Sequence, residues 1–168
     1  MECIFESKRL LFRKFTSEDE QLIYDLNLDP EVTKYTLDPV TDLAQARNIL
    51  LDVILPQYEL YGHGRWATYT KDGGQFIGWC GLKYRPEVDE IDLGYRLMKP
   101  FWGKGYATEA ALSTINYGFD LLKISTITGR ALPDNIASIR VMEKCGMQNV
   151  GVQNIEGLDH ITFKVSNK

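Results

Sequence analysis

The chain has 168 residues, 44% of them hydrophobic and 25% charged, which suits one domain with a buried core. Its formal net charge of −4 speaks against nucleic acid and anionic membranes as partners, but not against a cationic amine or a basic protein tail. No apolar run is long enough to span a bilayer, and the opening MECIFESKR lacks a signal-peptide core, so one cytoplasmic domain over residues 1–168 is expected.

Residues 10–15 read as the first strand, with Arg9 and Arg13 flanking apolar positions. Thr16 or Ser17 is expected to cap a helix whose start is acidic (Glu18, Asp19, Glu20) and whose stripe is Leu22, Ile23, Leu26 and Leu28. Asp29-Pro30 ends it. A second helix is expected from Thr41 or Asp42 to about Tyr58, with Pro56 near its end. Residues 65–71 and 75–84 read as two strands turning at Lys71-Asp72-Gly73-Gly74. The next turn, Arg85-Pro86-Glu87, leads to the stretch around which the chain is organised.

That stretch is a strand, a glycine turn and a helix. Ile91, Leu93, Tyr95 and Leu97 alternate with Glu90, Asp92, Gly94 and Arg96, the period of a half-buried strand. Gly103 and Gly105 flank Lys104. A helical stripe follows: Leu112, Ile115, Phe119 and Leu122, with Ala107, Ala111, Thr114 and Gly118 beside it. The first amides of a helix lack internal partners and its dipole is positive there. Glycines let a phosphate reach those amides, so a pyrophosphate is expected on residues 103–108; a tight turn without ligand is the alternative. A Walker loop would need Lys-Ser or Lys-Thr after its second glycine, where Tyr106 stands. A dinucleotide fold would want its acidic ribose partner at the end of the next strand, and Asp120 instead lies at the end of the helix.

Residues 124–131 read as a further strand, broken by Pro133-Asp134-Asn135. A short helix over residues 135–145 is expected to end at Gly146 in a left-handed cap, with Asn135 at its N-cap. A final antiparallel pair is expected at 150–154 and 160–165. Cys3, Cys80 and Cys145 form no CxxC pair and read as free thiols; His63 and His160 form no HExxH pair, and no metal is expected.

The segment PFWGKGYATEA closely resembles the acetyl-CoA loop of the GNAT superfamily of N-acyltransferases, in the form used by its RimJ/RimL-type branch of ribosomal-protein N-terminal acetyltransferases. The pattern is Arg or Gln, two residues, Gly, any residue, then Gly or Ala. Gly103 and Gly105 fit it, whereas Pro100 departs from the Arg/Gln position. ESKRLLFRKFTSED, LDPEVTKY, QFIGWCGL and DNIASIRVMEKCGM also resemble this branch in order and spacing, so the likeness spans nearly the whole chain.

The resemblance implies an α/β (α+β) fold with a mixed, mostly antiparallel sheet of six or seven strands, splayed at the acyl-CoA site and flanked by about four helices. It implies acetyl-CoA as co-substrate, held by Leu97, Met98, Trp102, Gly103, Lys104, Gly105, Tyr106, Ala107, Thr108, Asn135 and Ser138. The free strand edge of residues 95–98 would pair with the pantetheine amides, and Asn135 would bond the same arm. Asp92 and Glu90, on one strand face by parity, are the candidate bases or water relays, with a solvated face or an ion pair as the alternative. Ser138, one turn beyond Asn135, would hand a proton to the leaving thiolate. The two-helix segment would wall the acceptor site with Tyr35, Tyr58 and Tyr61. Trp66 is placed toward that cleft and Trp79 in the core. The implied reaction acetylates a primary amine, foremost an α-amine of a protein or peptide. A small amine (polyamine, antibiotic or amino acid) and a non-catalytic acyl-CoA-binding regulator remain open, as do monomer and homodimer.

Overall fold

A computed structural model describes residues 2–168. Eight strands form one sheet: β1 (Phe5–Glu6), β2 (Leu10–Lys14), β3 (Arg65–Thr70), β4 (Phe76–Arg85), β5 (Glu90–Leu97), β6 (Thr126–Ala131), β7 (Gln148–Ile155) and β8 (Leu158–Ser166). Their order is β1-β2-β3-β4-β5-β6-β8-β7, and every neighbouring pair is antiparallel except β5 and β6. The mixed, mostly antiparallel sheet is the expected one. The added strand is β1, two residues long and too short for alternation to register.

The β5–β6 junction is a single rung. Asp92 pairs with Thr128, and beyond it towards Leu97 the two strands part. The sheet therefore splays beside the end of β5.

Helices cover both faces. On one lie α1 (Glu20–Asn27), α2 (Leu43–Ile49) and α3 (Leu55–Tyr61), packed with Phe15, Ala67, Tyr69 and Trp79 around one core. On the other, α4 (Tyr106–Asp120) and α5 (Ile136–Lys144) pack with Leu82, Leu93, Leu97, Ile127 and Phe163.

The ends of these helices follow from side-chain chemistry. Asp42 caps α2, accepting a hydrogen bond from the Gln45 amide at 2.8 Å. At α1 the N-cap residue is Asp19, not Thr16 or Ser17: its carboxylate accepts from the Thr16 amide and from Arg13. Leu28 falls outside α1 and is exposed. Between α2 and α3 the backbone forms a π-helical stretch, Leu50–Ile54, in which the Leu55 amide donates to the Leu50 carbonyl. Pro56 has no N–H to give the ladder, and the wider turn carries the helix past it to Tyr61. The helix thus runs beyond the expected end at Tyr58.

In α4 Leu112 leaves the expected stripe, and the small residues beside it join Ile115 in the buried face. Ala110, Ala111, Thr114, Ile115 and Gly118 are buried, whereas Leu112 is 42% exposed. The small residues set the contact because they let the helix axis come close to the sheet. A Cβ on Gly118 would lie 2.8 Å from Leu82 Cδ1. Gly146 ends the segment after α5 with φ of 80°, as expected of a left-handed cap. The last hairpin is tighter than expected: Glu156 and Gly157, both at positive φ, make a two-residue turn.

Candidate active site

The glycine turn lies where β5 ends and α4 begins, beside the splay. Lys99–Phe101 form one 3₁₀ turn, and Gly103 and Gly105 both take the left-handed conformation, with φ of 72° and 80°. Gly105 is the N-cap of α4 and offers no side chain to the first turn. Among the described residues, no acceptor meets the N–H groups of Gly103, Lys104, Gly105, Tyr106, Ala107 or Thr108. Six successive donors without acceptors thus lie at the positive end of a 15-residue helix. This is the arrangement that binds a phosphate without any side-chain charge.

A clamp from the first hairpin fixes this loop. Glu109, in the first turn of α4, accepts from Ser7 Oγ at 2.7 Å, from the Arg9 amide at 2.7 Å and from Arg9 Nε at 2.6 Å. Arg9 also donates to the Lys104 carbonyl at 3.0 Å and lies over the Tyr106 ring, 4.3 Å from its centroid. Partial burial would raise the Glu109 carboxyl, but the hydrogen bonds from Ser7 and Arg9 hold it below the usual glutamate range. On the strand side, Trp102 Nε1 donates to the Leu97 carbonyl at 2.8 Å, tying the loop to the end of β5.

The edge of β5 is only partly as expected. Met98 donates its N–H to the Ile77 carbonyl of β4 at 2.8 Å, so its amide points into the sheet and not into the splay. By the alternation of the ladder, the peptide groups of Tyr95 and Leu97 face the splay.

The splay opens into a cleft of ≈ 510 Å³. β5 supplies Asp92, Tyr95 and Arg96; β6 and α5 supply Arg130, Asn135 and Ser138; two loops bring Tyr35 and Glu156. Asn135 caps α5, its Oδ1 accepting from the Ser138 amide at 3.2 Å, which leaves its Nδ2 to donate elsewhere. The Tyr95 hydroxyl lies 2.8 Å from Ser138 Oγ and 3.0 Å from the Ser138 carbonyl. A carbonyl only accepts, so the phenol proton can serve it while the serine hydroxyl donates to the phenol oxygen. Burial pushes the Tyr95 phenol above its ordinary pKa, outweighing the hydrogen bond to Ser138, and keeps it protonated. A buried tyrosine needs a partner for its hydroxyl. That rule could have singled out Tyr95 in the sequence, but no spacing pointed to Ser138, 43 positions away.

The two acidic candidates lie together and are both held by arginine. Asp92 accepts from Thr128 Oγ1 at 2.8 Å and Arg130 at 2.7 Å, with Arg85 at 3.5 Å; Glu90 accepts from Arg130. Burial raises the Asp92 pKa more than Thr128, Arg130 and Arg85 lower it. A raised carboxyl pKa suits a base, but the oxygens that would take the proton are already engaged. Arg130 and Arg85 carry no motif and were not legible in the sequence. His160 also lines the cleft, with Nδ1 3.1 Å from the Leu158 carbonyl, which leaves Nε2 free to accept when the ring is neutral.

Trp79 is in the core as expected, 7% exposed, and its ring also reaches the cleft, whereas Trp66 does not face the cleft. Trp66 is 1% exposed and packs edge-on against Phe5 and Tyr117 in the core. Trp79 lines the cleft, with the Arg65 and Arg96 guanidinium groups 4.7 and 5.6 Å from its ring. Tyr35 lines the cleft as expected of an acceptor wall. Tyr58 does not: its hydroxyl bridges the Phe15 amide and the Arg65 carbonyl. Tyr61 packs on Tyr84.

Comparison with known proteins agrees with this geometry. The family model of the acetyltransferase (GNAT) domain matches residues 9–148. The chain is 34% identical over 155 residues to the uncharacterized N-acetyltransferase p20 of Bacillus licheniformis, covering 90% of this chain and 85% of that protein. A solved GNAT-family acetyltransferase of Bacillus anthracis superposes with a TM-score of 0.81 at 27% identity, covering 96% of each chain. RimL, a ribosomal L7/L12 alpha-N-protein acetyltransferase solved in complex with coenzyme A, shares the fold with a TM-score of 0.83 at 18% identity over 98% of each chain. An amide-lined glycine loop beside a splayed sheet, on a chain matched over these lengths, identifies the protein as a member of the GNAT acetyltransferase family, an acetyl-CoA-dependent N-acetyltransferase.

Proposed function

We propose that this protein is a cytoplasmic enzyme of the RimJ/RimL-type branch, that residues 1–168 act as one catalytic domain, and that its acceptor is the α-amine of a protein or peptide. The branch rests on the ordered motifs of the sequence. The acceptor rests on one observation: Asp92 and Glu90, the two candidate bases of β5, are bound by arginine. A lysine amine, with a pKa of about 10.4, would need a strong base; an α-amine at about 7.7–8.0 is partly neutral at pH 7 and needs little help. A histidine or a water held by Asp92 is enough for it.

In this reading the six open amides at residues 103–108 bind the pyrophosphate of acetyl-CoA. The peptide groups of Tyr95 and Leu97 pair with its pantetheine arm, and the Asn135 amide nitrogen donates to the same arm. The Leu97 N–H is placed to polarise the thioester oxygen. The amine attacks the thioester carbon, the C–S bond breaks, and the Ser138 hydroxyl turns from the Tyr95 oxygen to give the thiolate its proton, which is replaced by the proton the amine releases to water in the cleft. Asp92 and Glu90 act by orienting Arg130 and a relay water.

The test is acetyl transfer measured side by side on peptides with free N-termini, peptides with a blocked N-terminus and an internal lysine, polyamines and aminoglycosides. The free N-terminal peptides are expected to give the highest kcat/KM. A polyamine or an aminoglycoside used tenfold better than any peptide would assign the enzyme to small amines instead. Binding of acetyl-CoA with no turnover on the whole panel would make it an acyl-CoA-binding regulator.

A further inference from the structure

The cleft continues away from the glycine loop into a second hollow of ≈ 340 Å³, lined by Arg65, Trp79, Gly81, Lys83, Arg85 and Asp92 among others. It lies on the face of β3, β4 and β5 that also carries Trp79. Arg65 pairs across the sheet with Gly81, and Gly81 with Gly94, so that row bears a single side chain. Trp79 and Lys83 stand two residues to either side of Gly81 on the same face.

The charges in this hollow do not balance. Arg85 and Arg130 take Glu87, Asp92 and Glu90, and Arg96 takes Asp38. Among the described residues, the Arg65 guanidinium and the Lys83 ammonium have neither a hydrogen-bond acceptor nor an ion-pair partner. Arg65 has only the face of Trp79. Burial, reinforced by the charge of Arg96, pulls Arg65 down to about 10 against the smaller opposing effect of Asp38. Burial followed by the charges of Arg65 and Arg85 lowers Lys83 as well, against the smaller opposing effects of Glu87 and Asp92. The lining holds Arg65, Lys83 and Arg85 against Glu87 and Asp92, both of which are in contact with Arg85, and a partly buried cation without a direct partner is costly. Two of them facing one hollow make a site that an anion would complete.

The donor cannot supply that anion from its pyrophosphate. Gly94 precedes Leu97 by three residues, about 10 Å of strand, and the glycine loop lies further on. We propose that the hollow holds an anionic group of the acceptor, a carboxylate or a phosphate carried close to the reacting amine, gripped by Arg65 and Lys83. The inference rests on the acetyl-transfer reading and names the acceptor class within it: acidic amines, such as peptides that begin with an acidic or phosphorylated residue. Guanidinium meets a carboxylate or phosphate through two parallel hydrogen bonds, and the ammonium adds a point charge. The same pair repels polyamines and aminoglycosides.

Acceptors that differ only in charge provide the test: peptides beginning with Glu against Gln, Asp against Asn, and phosphoserine against serine. The acidic member of at least one pair is expected to have a kcat/KM at least tenfold higher, expressed in KM, and the pair that shows it distinguishes carboxylate from phosphate. Arg65→Gln and Lys83→Ala are expected to bring that ratio near one, while Arg65→Lys, which keeps the charge, retains most of it. Equal use of both members, or preference for the neutral one, overturns the proposal. A second readout does not depend on turnover: titration of inorganic phosphate into Trp102→Phe and Trp102→Phe/Lys83→Ala, followed by tryptophan fluorescence, so that Trp79 in the hollow reports and the glycine loop is silent. Tenfold weaker binding by the double variant is expected, and equal affinity overturns the proposal even if no peptide is acetylated. Failure to bind acetyl-CoA by calorimetry would instead remove the donor reading and leave the phosphate comparison to decide the hollow.

Discussion

On the proposed reading, the donor side and the acceptor side of this enzyme are built by different means. The donor side is mostly backbone: amides of residues 103–108, the edge of β5 and two glycines at positive φ. The acceptor side is side chains from scattered strands: Arg65 from β3, Lys83 and Arg85 from β4, Asp92 and Arg96 from β5, Arg130 from β6. A backbone site is specified by local sequence, because only glycine tolerates the required φ and only a helix start offers open amides. A side-chain site is specified by strand register, which no short segment encodes. One side can therefore stay fixed while the other is rebuilt.

Variants on the two sides should separate kinetically. The largest effect is expected from Gly105→Glu, which sets a carboxylate and a Cβ at φ of 80° in the amide cradle. Calorimetry should show acetyl-CoA affinity lower by on the order of 100-fold or more, with the fold intact by circular dichroism. Normal affinity would put the phosphates elsewhere.

Next come Tyr95→Phe and Ser138→Ala, which remove the hydroxyl pair in the cleft. Each should lower kcat by roughly 100-fold while acetyl-CoA still binds, the scale of general acid–base catalysis. An unchanged kcat in both would remove them from the proton path.

Arg9→Ala is smaller and confined to the donor side. It opens the clamp on Glu109 and the Lys104 carbonyl and should raise the KM for acetyl-CoA about tenfold, leaving the KM for the acceptor in place. The same clamp carries a pH signature. Glu109 has its carboxyl pKa depressed in the fold, so its stabilisation is complete above the unfolded value of about 4.3 and is lost as pH falls through the lower folded value. Melting temperatures of Glu109→Gln and wild type should therefore converge in acid; a gap that persisted unchanged would refute this account. The smallest effect is that of Trp102→Phe, which removes one neutral hydrogen bond to Leu97, worth about 1 kcal/mol, or about fivefold in acetyl-CoA KM.

The two sides also differ in how much of them the sequence reveals. The glycine turn, the strand before it and the helix after it occupy one contiguous stretch, and each can be read from φ requirements and periodicity. Asn135 as a cap and Gly146 as a stop are equally local. The Arg9–Glu109 clamp spans 100 positions and has no local sign. Trp66 belongs to the core and not to the cleft, which the sequence hides because β3 and β4 are buried on both faces and alternation does not tell core from cleft. In α4 only Leu112 departs, because the helix meets the sheet through the small residues beside the stripe and Leu112 falls beyond the edge of that face. The pairing of Asp92 and Glu90 with Arg130 depends on β6 lying beside β5, a long-range fact of topology.

The single rung between Asp92 and Thr128 divides the sheet into five strands and three. Hydrogen bonding along the ladder is the means by which strands share their fate on opening, and here that means is nearly cut through. The two parts still share the core under α4, so they are expected to open together globally, while the strand ends along the gap exchange their amide protons faster than the ladders on either side. Acetyl-CoA, laid along the edge of β5 and against α5, would touch both parts at once. Its arrival would fasten a seam, and the protection it confers should reach β6, β7 and β8 through the cleft, where the backbone itself has left the gap.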